Sequence, residues 1–343
     1  MAKSSQIPEV SLELWQRLYT LAGQVWDLAP WTWMKENKIF GVRQADGRTD
    51  FVSVMGYLGE YHSVAIYLGE PAFFQILDFM NCENREMMAD RMFATLQIHL
   101  SFEPRSTLDK QDLAIIKRLG LKYRGQFWPQ FRSIQPGYFH WFLTEAEAQS
   151  LAVALEQLLV MAPRIKQDPR LLPKQDLHYL VRCQKPGTPE WSDEIRQLMP
   201  PAKVFHPSTM PPEFAKAMAT LPQGDIFEVD RFGLFSRVGK PGERPQRTHC
   251  LMLVDAESEN IAGVELLGVE GGMEEFQDRF PEYVLTRFLK SGVRPREIRV
   301  ADPDFATLLA GPCRTLDIKV TLVKDLPTLY PAKHGLLNHM RQC

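Results

Sequence analysis

The chain has 343 residues, 45% of them hydrophobic and 24% charged, with 40 Lys+Arg against 42 Asp+Glu for a formal net charge of −2. This composition excludes collagen-like, disordered and disulfide-scaffold chains, and a prior of about 150 residues per domain implies two domains. A charge so near zero draws the whole molecule neither to nucleic acid nor to an anionic membrane, so any such role rests on a local patch.

Met1 to Pro8 has one Lys and no apolar core, unlike a secretory signal. Residues 11–28 place Leu12, Trp15, Leu18, Tyr19, Ala22, Val25 and Trp26 at helical spacing, and Pro30 ends that helix. Three short runs follow, Ile39–Arg43, Phe51–Gly56 and His62–Leu68, broken by Asp46-Gly47 and Gly59, which predicts a small antiparallel meander. Helices are expected over 71–80, with Pro71 in the first turn, and over 84–94. Leu96, Ile98, Leu100 and Phe102 alternate with Gln97, His99 and Ser101, the period of a strand. Thr107 opens a helix that closes at Gly120. The capping box Thr144-x-x-Glu147 opens a long one to Met161, expected to stop at Pro163. Its apolar stretch Leu151–Ala162 is interrupted by Glu156 and Gln157 and falls short of the ~20 residues of a membrane span.

Pro163 to Pro222 holds 11 of the 25 prolines, a density that prevents long regular elements. Within it, His178–Cys183 reads as a strand and Trp191–Leu198 as a short helix. Beyond it, Asp225–Val229, Leu234–Val238, His249–Asp255 and Ile261–Leu267 read as strands and 275–290 as a helix ending at Ser291-Gly292. Glu297–Ala301, Asp302–Leu316 and Ile318–Val323 then form a βαβ unit, which requires parallel pairing, and a last helix covers 329–341. The expected organisation is an α+β N-terminal domain over 1–165, a proline-rich connection over 166–224 partly packed on the second domain, and an α/β C-terminal domain over 225–343 with a hairpin and a βαβ unit in a mixed sheet. Five cysteines, none spaced as CxxC, point to reduced thiols and a cytoplasmic location.

The chain carries no GxGxxG, phosphate loop, HExxH or GxSxG motif. Two constellations remain. Between Leu113 and Thr144 stand Lys117, Arg118, Lys122, Arg124 and Arg132 with no acid, interleaved with Tyr123, Phe127, Trp128, Phe131, Tyr138, Phe139, Trp141 and Phe142. Cations that track phosphates and rings that stack bases suit single-stranded nucleic acid. The same residues also describe a core over which Lys and Arg reach solvent. Lys122, Arg124, Trp128 and Arg132 are the binding candidates, for nucleic acid or a protein partner, in a protein without catalytic activity, cofactor or membrane contact. The cluster Trp26, Trp31 and Trp33 lines either a groove or the core.

The second constellation is Asp255 and Asp302, each ending a strand, with Glu265 on the strand paired with the first. Over about 248–323 this order is similar to the ribonuclease H-like fold. That resemblance implies that acidic residues on the first and fourth strands hold divalent metals, Mg or Mn, making Asp255, Glu265 and Asp302 catalytic and Asp255 and Asp302 metal ligands of a nuclease-like enzyme. The chain departs from the pattern in lacking a third strand and a final helical carboxylate. A cap at Asp302-Pro303 and a turn at Asp255 account for two of the three residues without any metal.

Over nearly the full length, the chain resembles an uncharacterised bacterial family of two-domain proteins of unknown function. The likeness runs through Leu28-Ala29-Pro30-Trp31-x-Trp33-Met34, Ile39-Phe40-Gly41-Val42, Val54-Met55-Gly56, Ala65-Ile66-Tyr67-Leu68-Gly69, Leu119–Gly125, Phe131-Arg132-Ser133 and Pro136-Gly137-Tyr138, then Leu253-Val254-Asp255 and Arg294-Pro295. It implies a cytoplasmic two-domain protein and supplies no activity.

Overall fold

A computed structural model describes residues 9–59, 61–185, 187–269 and 271–342. The chain forms two compact units. One takes in the residues up to Asn81, Met92–Pro201 and Pro241–Arg244, the other Cys82–Arg91, Ala202–Lys240 and the residues from Pro245 onward.

In chain order the first unit opens with α1 (Leu12–Leu28), capped by Ser11, whose hydroxyl accepts the Leu14 N–H. Strands β1 (Phe40–Arg43), β2 (Thr49–Met55) and β3 (Ser63–Tyr67) follow, then α2 (Gly69–Met80), while α3 (Arg85–Phe93) belongs to the second unit through Arg91. Next come β4 (Gln97–Glu103), α4 (Lys110–Arg118), β5 (Trp128–Ile134), α5 (Glu145–Gln167), β6 (His178–Gln184) and β7 (Trp191–Gln197). The expected meander is the middle of a larger sheet of order β5-β4-β3-β2-β1-β6-β7, antiparallel except for β1 against β6. Strand alternation sends Val52, Val54, Val64, Ile66, Ile98 and Leu100 to one face, under α1 and α5. Phe51, Ala65 and Tyr67 go to the other, against Phe73 and Ile76 of α2.

The Thr144 capping box forms, with Glu147 N 3.2 Å from Thr144 Oγ1 and Thr144 N 2.8 Å from Glu147 Oε2. The helix it opens runs past Pro163 to Gln167. The proline removes only the bond to the Leu159 carbonyl, while Ala162 and Ile165 stay buried in the core. The proline-rich stretch contributes β6 and β7 to this sheet rather than to the second unit. Trp191–Leu198, expected as a helix, is a strand because β6 offers it a full antiparallel ladder from Gln184↔Trp191 to His178↔Gln197, and pairing of that kind overrides weak local preference.

In the second unit, α6 (Pro212–Ala219) precedes β8 (Ile226–Val238), β9 (Gln246–Asp255), β10 (Ile261–Leu267), α7 (Met273–Asp278) and α8 (Phe280–Ser291). Then come β11 (Glu297–Val300), α9 (Pro303–Arg314), β12 (Lys319–Leu322) and α10 (Leu329–Gln342). The sheet order is β10-β9-β8-β11-β12, with β8, β9 and β10 antiparallel and β8, β11 and β12 parallel. The βαβ unit is therefore present, and the two runs expected at 225–238 are one strand with an irregularity between Gly233 and Arg237. Phe227, Val229, Leu251 and Leu253 pack against α8 and α9. Phe232, Cys250, Met252 and Val254 pack under Leu329 and Tyr330 of α10. The first unit is thus α+β and the second α/β. Among the described residues no helix is long and apolar enough to cross a membrane.

Candidate functional site

The basic–aromatic segment divides into a buried half and an exposed half. Arg132 lies on β5 at 5% exposure. Its Nη2 donates to Asp112 Oδ2 at 2.6 Å and Asp109 Oδ2 at 2.7 Å, and its Nη1 to Asp112 Oδ1 at 2.9 Å. The guanidinium stands 5.0 Å from the Phe142 ring. Arg132 therefore ties β5 to the start of α4 and is no part of a binding surface. Phe131 is likewise core, edge-on to Tyr19 at 5.1 Å.

Lys122 and Arg124 are exposed, on the loop between α4 and β5, and neither has an ion pair among the described residues. Trp128 is half-buried. Its indole N–H donates to the Gly125 carbonyl at 3.0 Å and its ring meets Tyr123 at 5.5 Å, with the Arg105 guanidinium 5.8 Å away. Its neighbour Phe127 is the ring presented to solvent, 43% exposed. Phe127 rests on Trp26 at 5.0 Å and on His62 at 5.6 Å, and behind these Trp31 is buried against His62 at 4.9 Å and Phe102 at 5.4 Å. Of the tryptophan cluster, Trp31 is core and Trp26 the half-buried floor of a surface.

The β2–β3 loop reaches His62 from the other side and carries exposed Tyr57, Leu58 and Tyr61, with the Lys35 ammonium 5.2 Å from the Tyr57 ring. Gly56 closes this loop with φ +118°, and a Cβ there would stand 2.0 Å from the Tyr61 carbonyl oxygen. Gly56→Ala is expected to destabilise the first unit by about 1–2 kcal/mol, since left-handed backbone is strained for an L side chain. Urea unfolding followed by tryptophan fluorescence checks this, and an unchanged midpoint would show that the loop relaxes at no cost.

The three carboxylates of the second constellation do not converge. Asp255 pairs with Phe227, level with the start of β8 and β11, since Ile226 pairs with Glu297. Asp302 follows the opposite end of β11, so the two are about 13 Å apart along the strands and two strand spacings of about 4.8 Å across. Asp255 Oδ1 accepts the N–H groups of Glu257 and Ser258 at 2.9 Å each, and these bonds, Ser258 foremost, hold its carboxyl below the usual range. Asp302 caps α9, accepting the Asp304 N–H at 2.8 Å. Glu265 faces Lys290 at 3.8 Å. Among the described residues no three His, Cys, Asp or Glu side chains form a ligand set for a metal ion.

The first strand of this sheet is β8, not the strand that ends at Asp255. The carboxylate it places beside Asp302, one strand over, is Asp230. Burial pushes the Asp230 carboxyl up to about 6; Lys333 opposes the shift, while Asp90 and Asp302 add to it. Its counter-ion is the Lys333 ammonium at 3.6 Å, which also stands 3.3 Å from Glu86 Oε2 and donates to the Glu86 carbonyl at 3.2 Å. A position already facing an ammonium does not fit a divalent cation. The charged pair Asp230-Arg231 hid this site in the sequence, because it reads as a break between two strands.

Residues 15–182 match the family described as Domain of unknown function (DUF7309). Residues 214–337 match Domain of unknown function (DUF6930). A comparison with curated proteins finds none that matches the chain.

Proposed function

We propose that this protein, which joins these two domains of unknown function, is a non-catalytic cytoplasmic binding protein. It holds single-stranded nucleic acid on the aromatic and basic face of its first unit. The observation that carries this reading is the meeting of two loops at the contact of His62 with Phe127, one loop carrying exposed Tyr57 and Tyr61 and the other exposed Phe127, Lys122 and Arg124. Bases stack on such rings at about 1–3 kcal/mol each, and unpaired cations beside them neutralise phosphates. The free thiols of Cys82, Cys183, Cys250 and Cys313 support the cytoplasmic setting.

Fluorescence anisotropy with a labelled oligothymidylate tests the reading. Phe127→Ala is expected to weaken binding about tenfold, the loss of one stacked base. Arg124→Ala is expected to weaken it less and to lower the salt slope by about 0.7, one phosphate contact on a single strand. Absence of binding at low salt, or capture of a protein partner that Phe127→Ala abolishes, overturns the nucleic-acid reading.

A further inference from the structure

Four arginines among the described residues are almost fully buried: Arg132 at 5%, Arg182 at 6%, Arg231 at 6% and Arg247 at 3% exposure. Three have a carboxylate in contact. Arg132 meets Asp112 at 2.6 Å, Arg182 meets Asp193, and Arg247 meets Asp90 at 3.1 Å. Arg231 has no ion pair among the described residues. Its Nη1 donates one long hydrogen bond, 3.3 Å, to the Phe276 carbonyl, and its Nε has no partner. The guanidinium lies among the rings of Phe276, Phe280 and Phe305 at 4.4, 5.3 and 5.0 Å.

A second orphan stands beside it. Arg231 pairs with Leu251 and Gly233 with His249, so Arg231 and His249 are diagonal neighbours on one face of the sheet. The His249 ring is 5.0 Å from the same Phe276, is 6% exposed, and its Nε2 has no partner. Arg247 follows on that face, its guanidinium lying over Gly233, where a Cβ would come 2.2 Å from its Cζ. Burial first, then the charges of Arg231 and Arg247, hold His249 neutral, down to about 3. A neutral imidazole in the Nε2–H tautomer is a donor.

Buried donors without acceptors are rare, and a buried cation without a counter-charge is strongly destabilising. A planar guanidinium walled by aromatic rings presents its N–H edge to the paired oxygens of a carboxylate or phosphate. We propose that the second unit binds a small oxyanion on the face of β8 and β9 between Arg231 and Gly233, with Arg231 supplying the charge and His249 Nε2 a second donor. The carboxylates around the site keep its capacity small. Asp90, Asp302 and Asp230 all act on Arg231 at longer range, but Asp90 is committed to Arg247 and to the Gly233 N–H at 2.9 Å, Asp302 to its helix cap and Asp230 to Lys333 at 3.6 Å. Asp90, with its side chain 30% exposed, marks where the cluster reaches solvent.

Full-length protein is melted in a calorimeter with inorganic phosphate, acetate or chloride at matched ionic strength. All seven tryptophans lie between Trp15 and Trp191, so their fluorescence reports the first unit alone. Phosphate or acetate at a hundredfold its Kd is expected to raise the second unit's transition by roughly 10 °C and leave the tryptophan transition in place. Whichever of the two raises it identifies the oxyanion. Arg231→Met is expected to abolish the rise and His249→Leu, which removes the second donor, to reduce it severalfold. Where Arg231→Met does not fold, His249→Leu carries the comparison. The proposal is overturned if both anions act as chloride does, or if the variants respond as the wild type does.

Discussion

Replacing Arg132 with methionine is expected to destabilise the first unit by about 3–5 kcal/mol, the effect of leaving a buried carboxylate without its partner. The Arg132 and Asp112 side chains are each 6% exposed and joined by two hydrogen bonds of 2.9 and 2.6 Å. Asp112 also accepts the Asp109 N–H at 2.9 Å as part of the α4 cap. Losing the guanidinium therefore strands a charge and loosens the start of a helix together. The double variant Arg132→Met with Asp112→Leu is expected to recover much of the loss, because desolvating two charges offsets most of their attraction. Urea unfolding read by tryptophan fluorescence measures both. A single variant within about 0.5 kcal/mol of wild type, the range of ordinary surface substitutions, would return Arg132 to the surface.

Arg132 also shows where sequence reading stops. Its partners Asp109 and Asp112 lie 23 and 20 residues away, and no local pattern distinguishes a basic residue that tracks phosphates from one that closes a core. Phe127 and Phe131 illustrate the same limit, being four residues apart with one ring in solvent and the other at 2% exposure. What was legible is what short-range physics decides. The alternation of Ile98, Leu100 and Phe102 marks β4 because one face of the sheet is core. The Thr144–Glu147 box and the Asp302-Pro303 start both appear as caps, and the hairpin and βαβ unit follow from period and glycine placement. What was not legible is decided by distant partners. β7 is a strand because β6 accepts it. Residues Cys82–Arg91 belong to the second unit, where Glu86 and Asp90 meet Lys333 and Arg247. A helix without a single buried residue gives no sign of that in its own sequence.

Asp230→Asn is expected to stabilise the second unit at neutral pH, although it removes an ion-pair partner of Lys333. Two effects compete at Asp230. The Lys333 ammonium at 3.6 Å favours the carboxylate, while burial and the charges of Asp90 and Asp302 disfavour it. Burial is the larger, since the carboxyl stands at about 6. An aspartate in the unfolded chain titrates near 3.9, so between about pH 4 and 6 the folded state holds the extra proton. Stability is then greatest below that window and falls as pH rises through it. The loss by pH 7 is of order 2–3 kcal/mol, at 1.36 kcal/mol per pKa unit. Asparagine stands in for the protonated form at every pH. The two proteins should therefore have similar stability at pH 4 and diverge in favour of Asp230→Asn by pH 7. The advantage at pH 7 should be the same ~2–3 kcal/mol, because the position of the carboxyl at about 6 already includes the Lys333 attraction. Calorimetric melting of both proteins across this range reads the difference directly. A variant less stable than wild type at pH 7 yet equal to it at pH 4 would mean that Lys333, not burial, governs the charge of Asp230.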